Sequence, residues 1–354
     1  MSKIIVQKYG GSSVANILKI MDAAKRVISY KNNGYSVVAV VSALGDATDE
    51  LIDMASKITK EPSERELDML MSTGEQVSCA LLAMAINSLG KEAISFTGAQ
   101  VGIVTDRSHT KARIIDVNAK RIKEELNRNR VVIVAGFQGV NLKQDITTLG
   151  RGGSDMTAVA LAKVLNASVC EIYTDVEGIY AADPRIVKDA RKLDKISYEE
   201  MLELASSGAQ VMQARSIEAA SKFNIPIHVR SSFSNKKGTI IVKEVKSMEK
   251  VLVSGLTLNK DEAKVTVCDA PDRPGIAAKI FETLANANIN IDMIIQNISR
   301  TVKGVTDVSF TVMKDDLQKT LKVARILCRE IGAEGVTYDE DIAKVSAVGI
   351  GMRR

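Results

Sequence analysis

The sequence has no tryptophan, and its aromatic share is only 4%. Few flat side chains leave little for bases to stack on. With 48 lysines and arginines against 43 acidic residues, no strong positive excess exists to hold a phosphodiester chain. Nucleic-acid binding is therefore not expected. Histidine is scarce as well: His109 and His228 cannot between them build a histidine-based zinc site. His228 sits in the apolar run IPIHVR and reads as a sheet residue. The cysteines, Cys79, Cys170, Cys268 and Cys328, lack CxxC spacing, so they read as reduced thiols of a cytoplasmic protein, with no metal-ligating set. No apolar run approaches the roughly 18–20 residues of a membrane span, and no signal-peptide core follows Met1, so no membrane partner is expected. Chemistry is left to Lys, Arg, Ser, Thr, Asp and Glu.

What is present is the composition of a globular protein, 45% apolar and 26% charged. At 354 residues the chain exceeds one ordinary core, so at least two domains are expected. Short apolar, β-branched runs read as buried strands: Ser36–Ser42, Val131–Gly136, Val169–Asp175, Ile225–Arg230 and Gly238–Val242. After the first strand, around Ile4–Val6, the residues Val14, Ile17, Met21, Ala24 and Ile28 mark one face of a helix. Ser12 or Ser13 is placed to cap its start, and Gly34 follows its end. Strand, helix, strand in this order predicts an α/β fold, a parallel sheet covered by helices on both faces. Residues 62–90 read as strongly helical, a lobe over one end of that sheet. Beyond a charged linker at 234–250 the pattern becomes βαββαβ, a ferredoxin-like unit. AKVTV at Ala263 then returns as AKVSAV at Ala343, the first strand of a second such unit. Either the chain is cut short there or that last strand pairs elsewhere.

Ligands on parallel sheets collect at the carboxyl ends of strands. KYGGSS, Lys8–Ser13, is such an end. It offers a cation, backbone that a ligand can approach, two hydroxyls and a helix start, each of which favours an anion. Taken alone, a glycine pair equally makes a tight turn beside a surface lysine. A second glycine-rich turn, TTLGRGGSDMTAVALA (Thr147–Ala162), opens another helix, so that two loops can embrace one polyanion. YTDVEGIYAADPR (Tyr173–Arg185) follows a further strand and is by itself a weak signal for a nucleoside pocket.

These stretches occur in one order with VVSALGDATDEL, STGEQVS and VAGFQG. Together they closely resemble the amino-acid kinase family, and within it the aspartate kinases; the βαββαβ unit resembles an ACT regulatory domain. The resemblance implies an αβα catalytic domain over residues 1–245, a linker and ACT domain over 246–342, and the first strand of a truncated second ACT unit over 343–354. It implies ATP-dependent phosphorylation of the side-chain carboxylate of L-aspartate, at the head of lysine, threonine and methionine biosynthesis, with Mg²⁺ carried mainly on the nucleotide. A carboxylate with an ordinary pKa of ~3.9 is already ionised at neutral pH, so no general base is required and scarce histidine suits the reaction. The difficulty is bringing anion to polyanion, which cationic clamps and positioning solve.

By the resemblance, Lys8 neutralises phosphate oxygens, helped by Gly10, Gly11 and Ser12. Asp155 orients the cationic groups. Thr174, Asp175, Tyr180, Arg185 and Gln210 belong to the nucleotide site. Glu75 receives the ammonium of aspartate and Arg151 its α-carboxylate, in a pocket lined by Ser42, Thr48, Gly152, Gly153 and Ser154. In the ACT region Asp272, Gly275, Ile276, Ala277, Gln296 and Asn297 mark an effector site for lysine or threonine, of a kind usually shared by two ACT units. A homodimer through those units is the expected assembly. The near absence of a second copy predicts weak or absent feedback. The alternatives are a kinase for a related substrate such as glutamate, acetylglutamate or carbamate, or a regulatory subunit that binds amino acids without catalysis.

There is one departure from the family pattern: Gln210, in SSGAQVMQARSIE, stands where many members carry a phosphate-binding lysine. Glutamine keeps a donor and loses the charge, which costs a few kcal/mol unless Arg185 or Arg215 compensates. Gln210→Lys is expected to leave kcat within about an order of magnitude in a steady-state kinase assay; a much larger gain would show the native site to be crippled.

Overall fold

The computed structural model describes residues 2–209, 211–244, 253–298 and 304–349. The chain divides into two compact units, Met1–Leu256 with Ala347–Arg354, and Thr257–Ser346.

In the first unit the elements run β1 (Ile4–Tyr9), α1 (Ile17–Asn32), β2 (Ser36–Val41), α2 (Ala47–Ile58), α3 (Glu64–Ser88), β3 (Ala93–Phe96), β4 (Ile103–Thr105) and β5 (Ile114–Val117). Then come α4 (Lys120–Asn127), β6 (Val131–Ala135), β7 (Gln138–Val140), β8 (Ile146–Thr148), α5 (Gly153–Val164), β9 (Cys170–Thr174), β10 (Lys195–Ser197), α6 (Tyr198–Ser206), α7 (Ala214–Phe223), β11 (Ile227–Ser231) and β12 (Thr239–Val242). The main sheet has the order β10-β12-β11-β9-β1-β2-β6-β3, parallel except where β11 meets β12. A smaller sheet, β5-β4-β7-β8, lies beside it in the same unit.

Strand alternation divides the apolar side chains between two cores. Val6, Val38, Val40, Val132, Val134 and Ile172 face α4, α5, α6 and α7. Ile5, Val37, Ala39, Val41 and Ile133 face α1 and α3. Both faces of the central strands are thus buried, which is why they read as unbroken Val/Ile runs. The helix at 62–90 was expected as a lobe over one end; α3 instead lies along a sheet face, with Cys79, Leu82, Ala83 and Ile86 in the core beside α1. It is also 25 residues long and apolar enough to cross a membrane by length and composition, a property the apolar-run reading did not anticipate. Its buried positions include Asp68, Ser72, Glu75 and Ser78, which suit a packed protein layer rather than lipid.

The cap of α1 also differs from expectation. Asn16, not Ser12 or Ser13, accepts the backbone N–H of Lys19 at 3.0 Å. A 3₁₀ turn over Gly11–Ser13 intervenes, because the chain must bend once at the strand end before the helix can start.

In the second unit, β13 (Gly255–Asn259) precedes β14 (Glu262–Pro271), α8 (Ile276–Asn286), β15 (Ile294–Ile298), β16 (Val305–Met313), α9 (Leu317–Ile331), β17 (Gly335–Asp339) and β18 (Lys344–Val348). From β14 to β17 this is the expected βαββαβ unit, an antiparallel sheet of order β15-β16-β14-β17. Val265, Val267, Ile280, Leu284, Phe310 and Leu321 form its core. Ile289, between α8 and β15, is buried in that core as well. The strand at Lys344–Val348 pairs with β13, outside the four-stranded sheet. Lys344 Nζ fixes its start to Glu262 Oε1 at 2.7 Å, and it also contacts Asp292.

Candidate active site

The site grows from the carboxyl ends of β1, β2, β6 and β9. In register, Lys8 lies between Val40 of β2 and Ile172 of β9. Its side chain is only 14% exposed, and Nζ meets Asp155 Oδ1 at 2.7 Å. The gross attraction of such a pair is about 6 kcal/mol at an effective dielectric of ~20, largely cancelled by desolvation; losing one partner would strand a buried charge at a cost of about 3–5 kcal/mol. The ion pair joins the end of β1 to the first turn of α5, so the two glycine-rich loops of the sequence do converge.

The glycines of the first loop act differently from each other. The N–H of Gly10 donates to Tyr173 O at 3.2 Å, so it is used in holding the turn against β9 and is not open to an anion. At Gly11 a Cβ would stand 2.8 Å from Gly45 O and 3.1 Å from Ala43 O. Only glycine lets the turn lie this close to the loop after β2, where Gly45 N–H donates to Gly11 O at 3.1 Å. Ser12 is exposed at the tip. Ser13 is buried and braces the turn, its hydroxyl donating to Tyr173 O at 3.3 Å and accepting from Ser232 Oγ at 2.5 Å.

The loop after β2 in turn meets α3. Ser42 is half-buried at its start, with its N–H on Tyr9 O at 3.0 Å, and Thr48 is half-buried in the first turn of α2. Glu75 is 3% exposed, and its Oε1 accepts the N–H of Ala43 at 3.3 Å. Its Oε2 is buried with no hydrogen-bond partner among the described residues. Burial pushes the carboxyl up to about 7, against hydrogen bonds from the backbone that pull it down. A buried acceptor at this cost calls for a donor from outside, and an ammonium group fits.

At the start of α5, Gly152 has φ +68°, and a Cβ there would overlap the Gln213 side chain at 1.9 Å. Ser154 and Asp155 are buried just beyond it, with Gly153 against the Phe137 ring, where a Cβ would fall 2.8 Å from Cδ2. Arg151 stands exposed at the tip of the turn. The motif VAGFQG enters here: a Cβ on Gly136 would meet Ser154 Oγ at 2.8 Å, so this glycine seats the start of α5 against the end of β6.

The loop after β9 is less convergent. Thr174 is half-buried, with Oγ1 donating to Asp175 Oδ1 at 3.0 Å. The Tyr180 hydroxyl donates to Glu177 at 3.4 Å. Arg185 is 78% exposed and held by Asp183 through contacts of 2.8–3.2 Å. Arg215 gives one Nη to Leu149 O at 3.1 Å and the other to Ala112 O at 2.8 Å. Arg185 is thus paired with a carboxylate, whereas Arg215 keeps its charge while anchored on two backbone carbonyls. Gln210 itself lies outside the described residues.

In the second unit a cavity of about 350 Å³ is lined by Asp272, Gly275, Ile276, Ala277 and Gln296, together with Arg273 and Thr306. Asn297, read from the sequence as part of this site, is not in the lining. As the residue after Gln296 on a strand it belongs to the opposite face. Sequence reasoning had no signal for several participants: the Ala43 amide, the Tyr173 carbonyl, Gln213 and the Arg215 brace act through backbone groups or packing. Asp68, two turns before Glu75 on the same face of α3, was also missed, though its spacing was there to be read.

Residues 3–231 match the Amino acid kinase family, and residues 264–329 match the ACT domain. The aspartokinase of Mycolicibacterium smegmatis is 51% identical over 353 residues, covering 99% of this chain and 84% of its own length. The crystal structure of E. coli aspartokinase III in complex with aspartate and ADP, its R-state, superposes with a TM-score of 0.80 at 27% identity, covering 98% of this chain and 88% of that one. The same E. coli enzyme with lysine and aspartate, its T-state, gives 0.75 at 28% identity, over 98% of this chain and 87% of that one.

The raised Glu75 carboxyl has a consequence for stability. The native state holds this proton more tightly than the unfolded chain, so between about pH 4.5 and 7 it binds more protons and stability falls as pH rises; above 7 the effect is flat. The shift from 4.5 to about 7 corresponds to about 3 kcal/mol. Urea unfolding of the ligand-free protein at pH 5 and pH 8 is expected to show Glu75→Gln removing a decline of up to that size; an unchanged decline would mean Glu75 is solvated.

Proposed function

We infer the activity of this chain from one premise: it belongs to the amino acid kinase family and carries an ACT domain. Its reaction is the transfer of the γ-phosphoryl group of ATP to the side-chain carboxylate of L-aspartate, as the naming of its full-length relatives and the aspartate and ADP bound by E. coli aspartokinase III support. A carboxylate oxygen forms the new O–P bond while the bond to the ADP oxygen breaks, and no proton has to be removed from the nucleophile. The protein's task is to hold two anions in line and cover their charge.

The observation that carries this reading is the Lys8–Asp155 pair at the sheet's carboxyl edge. Asp155 keeps the ammonium of Lys8 aimed along the start of α5, where the cation can neutralise the transferring phosphoryl group. Gly11 and Ser12 border that position, and Gly10 shapes the turn through its bond to β9. The partnerless oxygen of Glu75 takes the substrate ammonium, and Arg151 its α-carboxylate, with Ser42, Thr48, Gly152, Gly153 and Ser154 around them. An acylated nitrogen offers Glu75 no charge, which disfavours acetylglutamate. A catalytically silent regulatory role has no use for a buried Lys8–Asp155 pair. Thr174, Asp175, Tyr180 and Arg185 form the nucleoside side, and Mg²⁺ comes with the nucleotide, where it screens the phosphate charge.

The second unit takes an amino-acid effector in the cavity beside Gly275, and pairs with a second copy. Its edge strand β15 carries exposed Ile294 and Ile295, apolar side chains beside unpaired backbone.

In an ADP-release assay run well below the variant's Tm, Lys8→Met is expected to cut kcat/KM for aspartate by at least about 100-fold and, by orphaning the buried Asp155, to lower Tm, and the parent is expected to prefer aspartate to glutamate. Unaltered turnover in a folded Lys8→Met protein would sink the assignment. Lysine, threonine and both together, each at about 1 mM, are expected to lower the rate of a dimeric protein weakly or not at all. Strong inhibition would overturn the reading of weak feedback, and a monomer by sedimentation would remove the pairing reading.

A further inference from the structure

Asp68 is an ionisable side chain with no exposure at all, and its role is not explained by the phosphoryl-transfer chemistry above. From α3 it reaches a different part of the unit. Its carboxylate accepts the Thr110 N–H at 3.0 and 3.1 Å, His109 Nδ1 lies 2.7 Å from Oδ2, and Thr148 Oγ1 donates to Oδ1 at 2.5 Å. Burying a carboxylate is expensive, and here the donors that compensate it come from just two places: the loop before β5 and the end of β8. Thr110 adopts φ +62°, a left-handed conformation unfavourable for a β-branched residue, so the loop is held where it would not rest by itself.

Those two segments are in turn tied to each other. Ala112 N–H donates to Thr148 O at 2.9 Å. Arg215 bridges Leu149 O and Ala112 O. Gly150 lies so near the loop that a Cβ would be 3.0 Å from Thr110 O. The next residue is Arg151. The chain from β8 to Arg151 is thereby locked to α3 at Asp68, and α3 carries Glu75 two turns further on the same face.

We propose that Asp68 is a positioning residue for substrate recognition: it fastens the Arg151-bearing turn to the helix that carries Glu75, fixing where the ammonium and α-carboxylate of the amino acid are held relative to the phosphoryl donor. This rests on the aspartate-site reading given above. One rigid helix sets both contacts, so the distance from the substrate's head group to Lys8 is fixed, and a side chain one methylene longer reaches past the phosphorus. Loosening the Asp68 clamp weakens the grip on the head group and relaxes that length selection, with no effect on the nucleotide side.

Asp68→Asn keeps the shape but places an amide where two further donors converge. In steady-state assays KM for aspartate is expected to rise at least about tenfold, the loss expected for one charged hydrogen bond, and the aspartate-over-glutamate preference to fall. KM for ATP is expected to stay within about twofold. Thr148→Val, which removes one donor at a smaller risk to folding, is expected to move the same constants in the same direction by less. An unchanged aspartate KM in both variants overturns the proposal, as does a parallel loss in kcat and both KM values that tracks the fall in Tm. Arg151→Ala, measured alongside, separates the two levels. If it raises the aspartate KM and the clamp variants do not, only the positioning role fails; if it too leaves that KM untouched, the site reading itself fails.

Discussion

A charge removed from water must find its partner inside the protein, and in the first unit that requirement organises the site. Asp155 is answered by Lys8, Asp68 by His109, Thr110 and Thr148, and Glu125 by Arg128 and Arg130. Each of these buried carboxylates pins a loop or helix end, and removing its donors is costly because the carboxylate itself stays buried. Glu75 departs from the pattern, with one oxygen answered by a backbone amide and the other by nothing among the described residues. The unmet acceptor is the observation behind the proposed seat for the substrate ammonium.

The same logic supports the floor of the site. On the α1 face of the sheet, Glu171 accepts Gln7 Nε2 at 2.9 Å, the Tyr173 hydroxyl at 2.7 Å and the Tyr30 hydroxyl at 2.7 Å, with Arg230 at 3.3 Å. Burial alone would raise its carboxyl, but hydrogen bonds from His228, Tyr30, Tyr173 and Gln7 hold it down at about 2. Tyr9 and Tyr173 stack at 4.9 Å above it. These contacts lock β1 to β9 where β1 runs into the glycine-rich turn, so that Gly10 and Ser13 find the Tyr173 carbonyl in place. The network leaves Arg230 Nε and His228 Nε2 without a partner among the described residues, but the four donors on Glu171 tie together the strands that carry Lys8.

Rigidity here has a catalytic meaning. With a nucleophile already ionised, rate enhancement comes from placing charges before the reaction starts, and groups that need not reorganise are worth most. Of the exposed groups, Arg151 and Asp175 stand on loops, and Arg185 is held on its loop by Asp183. The buried ones, Lys8, Glu75 and Asp155, stand at the ends of strands or on helices.

By itself the sequence determined the elements and the chemistry of their ends. Apolar runs of strand length, helical periodicity and glycine-rich turns follow from local rules, so the parallel sheet, the βαββαβ unit and the placing of Lys8, Arg151 and Asp155 at strand-to-helix turns were all legible. The tertiary structure alone decided what depends on contacts between distant segments. It seated α3 along the sheet, moved the α1 cap from Ser12 or Ser13 to Asn16, spent the Gly10 amide on Tyr173, turned Asn297 away from the cavity, and engaged Arg185 and Arg215 locally. It also gave Asp68 its partners. Which donor meets which acceptor is set by how the layers stack, and no residue's neighbours in sequence carry that information.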